Sequence, residues 1–187
     1  MTNDIDIDIE GFIGNFEIYI FTKKNNISAT LSLLAPYTPI EFMDLDLLTS
    51  IEHYDPENLP CAVDKKLMIV FSVNDLNIII HIFDDQMVII LSTRPNKTES
   101  IQTMNDYFKK FKSMASFIII GFEMDFDFYD MGDIYQSLKE QKSNFPFILQ
   151  DSEKPLVIYK DDNLDKYYEI TLCKLAHELG INTPNLT

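Results

Sequence analysis

The sequence predicts an α+β fold: a mainly antiparallel sheet with a central three-stranded meander and about four helices packed on it. Three observations predict it. Hydrophobic residues make up 46% of the 187-residue chain, and a chain of that size buries roughly 70% of its unfolded surface without help from disulfides. At the centre, Leu67–Val73, 76–83 and 87–91 are apolar, β-branched runs separated by the turn-forming pairs Asn74-Asp75 and Asp84-Asp85. Segments with helical spacing are interspersed among the strand-like ones, in the order β-β-α-β-β-β-α-β-α-β-α. A single domain over 1–187 is the default for this length, and the loop 145–155 is where an internal boundary, a weak one, is expected first.

Each element follows from a local pattern. Residues 16–21 (Phe-Glu-Ile-Tyr-Ile-Phe) predict a strand, Lys23-Lys24-Asn25-Asn26 a turn, and Ile27–Leu34 a returning strand, which together make a hairpin. Pro36 and Pro39 interrupt regular structure. Residues 41–54 place Phe42, Leu45, Leu48 and Ile51 at spacing three, which predicts a short amphipathic helix. Asp55-Pro56 and Leu59-Pro60 then form a loop. The three central runs are nearly continuous in apolar character, as expected of strands covered at least partly on both faces.

Beyond the centre, Asn96 or Thr98 is positioned to cap a helix running to about Ala115. Ile101, Met104, Phe108, Phe111 and Met114 line one side of it. Phe117–Phe122 predicts a strand that continues as the alternating 123–128. Asp133 is placed to cap a helix to about Lys142, and 155–160 a short strand. Asp161 or Asp162 caps the last helix, with Leu164, Tyr168, Leu172, Leu175 and Leu179 inward and Gly180 as its stop.

Charge is the strongest global signal. Thirty Asp+Glu against fifteen Lys+Arg leave a net charge of −15. A foldable chain with such a field disfavours nucleic acid and anionic membrane as partners and favours a basic protein surface. The N-terminus lacks the basic and apolar regions of a signal peptide, and no apolar run approaches a membrane span. The two cysteines, Cys61 and Cys173, fit a reducing compartment. A cytoplasmic protein is expected.

Catalytic and metal motifs fail on inspection. His177-Glu178 has the start of a zinc-protease helix, but position 181 is Ile instead of the second His. Cys173 and His177 share a helical face without the further ligands a structural zinc needs. Of the remaining histidines, His53 stands among carboxylates and His81 interrupts an apolar strand. No Gly-x-Ser-x-Gly element occurs, and Gly11 and Gly14 precede a strand, not the helix a phosphate loop requires. No catalytic residue, metal ligand set or cofactor is therefore assigned.

Three acidic stretches remain. Glu123, Asp125, Asp127, Asp130 and Asp133 form the densest. The first three share one strand face, and their spacing does not match a calcium loop. These five are the predicted partner-binding residues, although a solvated edge strand explains the same pattern. The run 4–10 alternates acidic residues with Ile at ~6.7 Å, a separation of the order of neighbouring phosphates on a nucleic-acid strand. Glu41, Asp44, Asp46, Glu52, Asp55 and Glu57 form the third stretch, expected on the solvated side of the 41–54 helix and its loop.

The function expected from charge, size and missing motifs is a non-enzymatic binding protein. Its concrete form is an intracellular inhibitor or immunity protein that neutralises a basic toxin or nuclease. Two alternatives stand beside it: a nucleic-acid mimic that blocks a DNA- or RNA-handling enzyme, and a hydrolase with a carboxylate-bound metal.

Overall fold

The structure, a computed structural model, describes residues 14–59, 65–83, 86–94, 97–122, 147–151, 157–159 and 166–181. Within them the α+β class holds. Nine strands form one sheet: β1 (Phe16–Lys23), β2 (Glu41–Asp44), β3 (Thr49–Ser50), β4 (Leu67–Val73), β5 (Leu76–Ile82), β6 (Gln86–Thr93), β7 (Phe117–Phe122), β8 (Phe147–Asp151) and β9 (Val157–Tyr159). Their order across the sheet is β3-β2-β4-β5-β6-β1-β7-β8-β9, and every pairing is antiparallel.

The expected three-stranded meander is too small a unit. β4, β5 and β6 do pair in sequence, but β2 and β3 continue the run on one side and β1 inserts between β6 and β7 on the other. The strand at the middle of the sheet is β6. Its Val88, Ile89 and Leu91 are fully buried, as its place between β5 and β1 requires. The turn between β4 and β5 is the two-residue type with both central residues left-handed, Asn74 at φ 50° and Asp75 at φ 62°. Asn and Asp tolerate that conformation, and its twist matches the flanking strands.

Three α-helices lie among the described residues, not about four: α1 (Ile27–Leu34), α2 (Thr98–Lys112) and α3 (Lys166–Glu178). All three pack on one face of the sheet. That face presents Phe16, Ile18 and Ile20 of β1, Ile69 and Phe71 of β4, Ile78 and Ile80 of β5, Ile89 and Leu91 of β6, and Ile118 and Ile120 of β7. The registers place them side by side, for example Ile18 opposite both Leu91 and Ile120. Against them pack Leu31 and Leu34 of α1, Met104, Phe108 and Phe111 of α2, and Leu172 and Leu175 of α3. Tyr19, Phe21, Val88, Ile90 and Ile119 are buried on the opposite face.

Two local expectations are reversed. Ile27–Leu34 is a helix, not the second strand of a hairpin. Its buried residues Ile27, Thr30, Leu31 and Leu34 fall at i, i+3, i+4 and i+7, the spacing of a helical face. The hydroxyls of Thr30 and Ser32 satisfy themselves on the carbonyls one turn back, of Asn26 and Ser28. Conversely, the 41–54 helix does not form. Its first part is the β2–β3 hairpin, because β2 finds a ladder on β4, with Glu41 opposite Val70 and Asp44 opposite Leu67. Six ladder pairs outweigh a spacing-three pattern that is only four residues deep.

Residues 147–151 lie inside the expected boundary loop, yet they form β8, which pairs with β7 along its length. The expected caps of α2 are displaced: Lys97 holds the cap position and makes no side-chain capping bond. At the end of α3, Gly180 stops the helix as expected, at φ 71°. Its N–H donates to the carbonyl of His177 and that of Ile181 to Ala176, the paired bonds of a glycine-terminated helix.

Candidate functional site

The acidic cluster of Glu123, Asp125, Asp127, Asp130 and Asp133 lies outside the described residues, as do the 4–10 run, Cys61 and the 133–142 helix. The third acidic stretch lies within them, on the edge hairpin instead of a helix. Residues 37–59 hold six carboxylates and no Lys or Arg.

Asp44 builds this hairpin. It is buried at the end of β2, and its Oδ1 accepts the N–H of Asp46 at 3.0 Å and of Leu47 at 3.1 Å. Those bonds satisfy backbone donors that the turn leaves without ladder partners. Lys65 Nζ stands 3.6 Å from Asp44 Oδ2, and Lys66 Nζ stands 3.9 Å from Asp46 Oδ1. Beyond the turn, the Ile51 N–H donates to the Phe42 carbonyl. Extending the β2–β3 register by two residues places Glu52 opposite Glu41. Neither makes an ion pair among the described residues, and like charges facing across a ladder destabilise it.

The segment after β3 is strapped to the core. Tyr54 meets Phe42 and Phe71 edge-on, at centroid distances of 5.7 and 6.1 Å. Burial raises the Tyr54 phenol above its usual range. Leu59 is buried in the core cluster. Between these anchors, Asp55 closes a turn by accepting the Asn58 side-chain amide and the Glu57 N–H. The Asn58 bond, followed by the Glu57 bond, holds its carboxyl below the usual carboxylate range. Glu52, His53 and Glu57 are left exposed.

Exposed apolar side chains gather on the same hairpin. Ile40 is 67% exposed, Leu47 68% and Leu48 65%; with Tyr37 they are the exposed large hydrophobics of the described residues. Ile40 precedes β2 and Leu47-Leu48 form its far turn, so they bracket a strand about 13 Å long. Leu48 is also strained, with φ at 51°. A γ-branched residue held left-handed costs roughly 1–2 kcal/mol, which Gly or Asn there would largely relieve. A residue that is both strained and exposed contributes nothing to the core it sits beside.

The other candidates are not brought together. Cys173 is buried on α3 and His177, one turn on, is exposed. His81 sits on β5 with Met68 and Val88 as its cross-strand neighbours, and burial pushes its imidazole down to about 4. Among the described residues, no three His, Cys, Asp or Glu side chains are grouped to hold a metal ion, and no helix is long and apolar enough to cross a membrane. The exposed Leu47-Leu48 turn was missed in the sequence because Leu48 fits a helical stripe; Asp44, three positions before the Leu-Leu pair, was the available signal for a turn.

No protein-family model matches this chain, and no curated protein or solved structure matches it.

Proposed function

We propose that the protein is a non-enzymatic binding module that docks a basic protein partner through the β2–β3 hairpin and the strap that follows it. The observation that carries this reading is the coincidence of Leu48, strained and exposed, with a stretch of six carboxylates that holds no cation of its own. Interfaces have an apolar centre and a polar rim. Here Ile40, Leu47 and Leu48 supply the centre, and Glu41, Glu52 and Glu57 the rim. The carboxylates speed encounter with a positive surface, and the leucines slow release.

An intracellular inhibitor or immunity protein against a basic toxin or nuclease is the concrete form of this reading. A phosphate mimic is less well supported, because exposed leucines imitate no part of a nucleic-acid backbone. Glu123, Asp125, Asp127, Asp130 and Asp133 remain a proposed second acidic contact.

Leu48→Asn separates binding from folding. Asparagine tolerates the left-handed backbone, so the variant should unfold at higher denaturant while losing roughly tenfold in affinity for the partner. Partners captured by the wild-type protein from native lysate would be compared with those captured by Leu48→Asn and by Glu52→Lys/Glu57→Lys. The expected result is a basic protein, inhibited in its own activity, whose capture both variants weaken. Capture that is unchanged by either variant would refute the hairpin as the docking surface.

A further inference from the structure

β3 stands at one edge of the sheet, and Thr49, Ser50 and Glu52 are exposed there. We propose that this edge takes on one further strand, an extended segment of the partner in which Lys or Arg alternates with apolar residues. The inference rests on the hairpin as the docking surface and specifies how the partner is held on it.

The backbone sets the geometry. The Ile51 N–H donates to the Phe42 carbonyl at 2.7 Å, while Met43 faces Ser50 and Asp44 faces Thr49 across the ladder. Bonded and non-bonded pairs alternate along antiparallel strands. Phe42–Ile51 is a bonded pair, so Met43–Ser50 is a non-bonded one. The other side of β2 agrees: the Leu45 N–H donates to the Lys66 carbonyl, so Met43, two residues earlier, also turns its backbone toward β4. The Ser50 N–H and carbonyl therefore point away from β2 and out from the edge. Main-chain groups so placed are the ones that strand addition uses.

The side chains choose the strand. Alternation puts Glu41, Met43, Ser50 and Glu52 on one face of the hairpin. Phe42 and Ile51 lie on the other, packed against the core cluster. An added strand sets every second side chain beside Glu52 and, one strand further in, Glu41; cations belong at those positions. The residues between lie beside Ile51, with Leu48 at the end of the edge, and are apolar. Charge also decides between occupants. Residues 25–64 hold seven carboxylates and no Lys or Arg. Pairing β3 with β3 of a second copy would bring two such edges together, and like charges across a ladder destabilise it. A short, charged edge strand resists indiscriminate pairing; a cationic strand is the one that this charge admits.

The probe is a capped heptapeptide in which Lys and Val alternate, titrated into the intact protein at low salt and followed by amide-resolved NMR and hydrogen exchange. Its comparators are the same peptide N-methylated at every residue, which keeps the charges but cannot join a ladder, and the peptide with Glu in place of Lys. The expected result is that the Lys–Val peptide shifts the resonances of residues 48–52 and protects the Ser50 amide from exchange. The N-methylated peptide should bind at least tenfold more weakly, and the Glu–Val peptide not at all. Ser50→Pro removes the outward donor without touching a β2–β3 bond, at a place where an edge strand tolerates proline. It should weaken the peptide at least tenfold, while Ser50→Ala leaves it unchanged. The same spectra report whether each variant is folded, and the N-methylated comparison needs no variant. Binding indifferent to N-methylation and to Ser50→Pro, but weakened by Leu48→Asn, overturns strand addition and leaves docking on the hairpin standing. Binding indifferent to Leu48→Asn and to Glu52→Lys/Glu57→Lys overturns the hairpin reading itself. Failure of the Lys–Val peptide to bind, or Ser50 protection that grows with protein concentration alone, overturns the cationic strand.

Discussion

Removing the carboxylate of Asp44 tests the feature that shapes the proposed docking edge. Three interactions are lost in Asp44→Ala. The contact with Lys65 is worth little, because the lysine side chain is 58% exposed and the separation is 3.6 Å; such pairs contribute about 0–1 kcal/mol. The two bonds from the Asp46 and Leu47 N–H groups to Oδ1 matter more. Hydrogen bonds to a charged group contribute about 1.5–3 kcal/mol each in isolation. Here both share one oxygen, and the turn lies on the sheet edge where water can take the place of the carboxylate, so the sum belongs at the low end. Asp44→Ala should therefore cost about 2–3 kcal/mol. Asp44→Asn keeps an acceptor at the same place and should cost about 1 kcal/mol, the difference between charged and neutral acceptors. In urea unfolding, with m near 2 kcal/mol/M, the alanine variant would shift its midpoint by about 1–1.5 M. Amide exchange at Ile51, whose N–H closes the hairpin on Phe42, reports the same loss locally. If Asp44→Ala changes the midpoint by less than 0.25 M (about 0.5 kcal/mol) and leaves Ile51 exchange unaltered, the turn is held by something other than this side chain. Equal losses in both variants would show that charge, not acceptor geometry, is what the turn needs.

Three further outcomes follow from the same structure. Ser28 and Ser32 are exposed on α1, so replacing both with Ala should stabilise the protein by about 1 kcal/mol in total, as helix propensity dictates; a strand at 27–34 would lose stability in the same urea experiment. Gly180→Ala meets no atom within 4 Å but must hold φ at 71°, so melting should show a loss of about 1–2 kcal/mol from backbone strain alone. His81 is held neutral by burial, with its pKa down from 6.5 to about 4. The unfolded chain then binds the extra proton first as pH falls, so this contribution is complete above about pH 6.5 and is lost toward pH 4. It amounts to about 3 kcal/mol, and unfolding measured from pH 7 to pH 4 should show His81→Gln losing that much less than the wild type.

What the sequence determined by itself was the material of the sheet centre. The runs within β1, β4, β5, β6 and β7 are apolar, β-branched and long enough that no other element fits them, and Asn74-Asp75 specifies its turn through its own backbone preference. The amphipathic stripe of α2 and the glycine stop of α3 were legible for the same reason: each is a local preference that agrees with its tertiary setting. The candidate site was legible only in part. Its carboxylates are countable in the sequence, but whether they line a helix or frame an edge hairpin is not. Residues 27–34 and 41–54 are short segments in which both periods can be found. Only tertiary structure chose between them, through packing of Leu31 and Leu34 on the sheet face and through the open ladder that β4 offered to β2. The insertion of β1 between β6 and β7 joins residues some 70 and 100 positions apart. No local pattern encodes such a pairing; it is decided by which apolar faces can be buried together. The exposure of Leu47 and Leu48, and the outward-facing backbone of Ser50, are consequences of the β2–β4 ladder and exist only once the hairpin has joined the sheet.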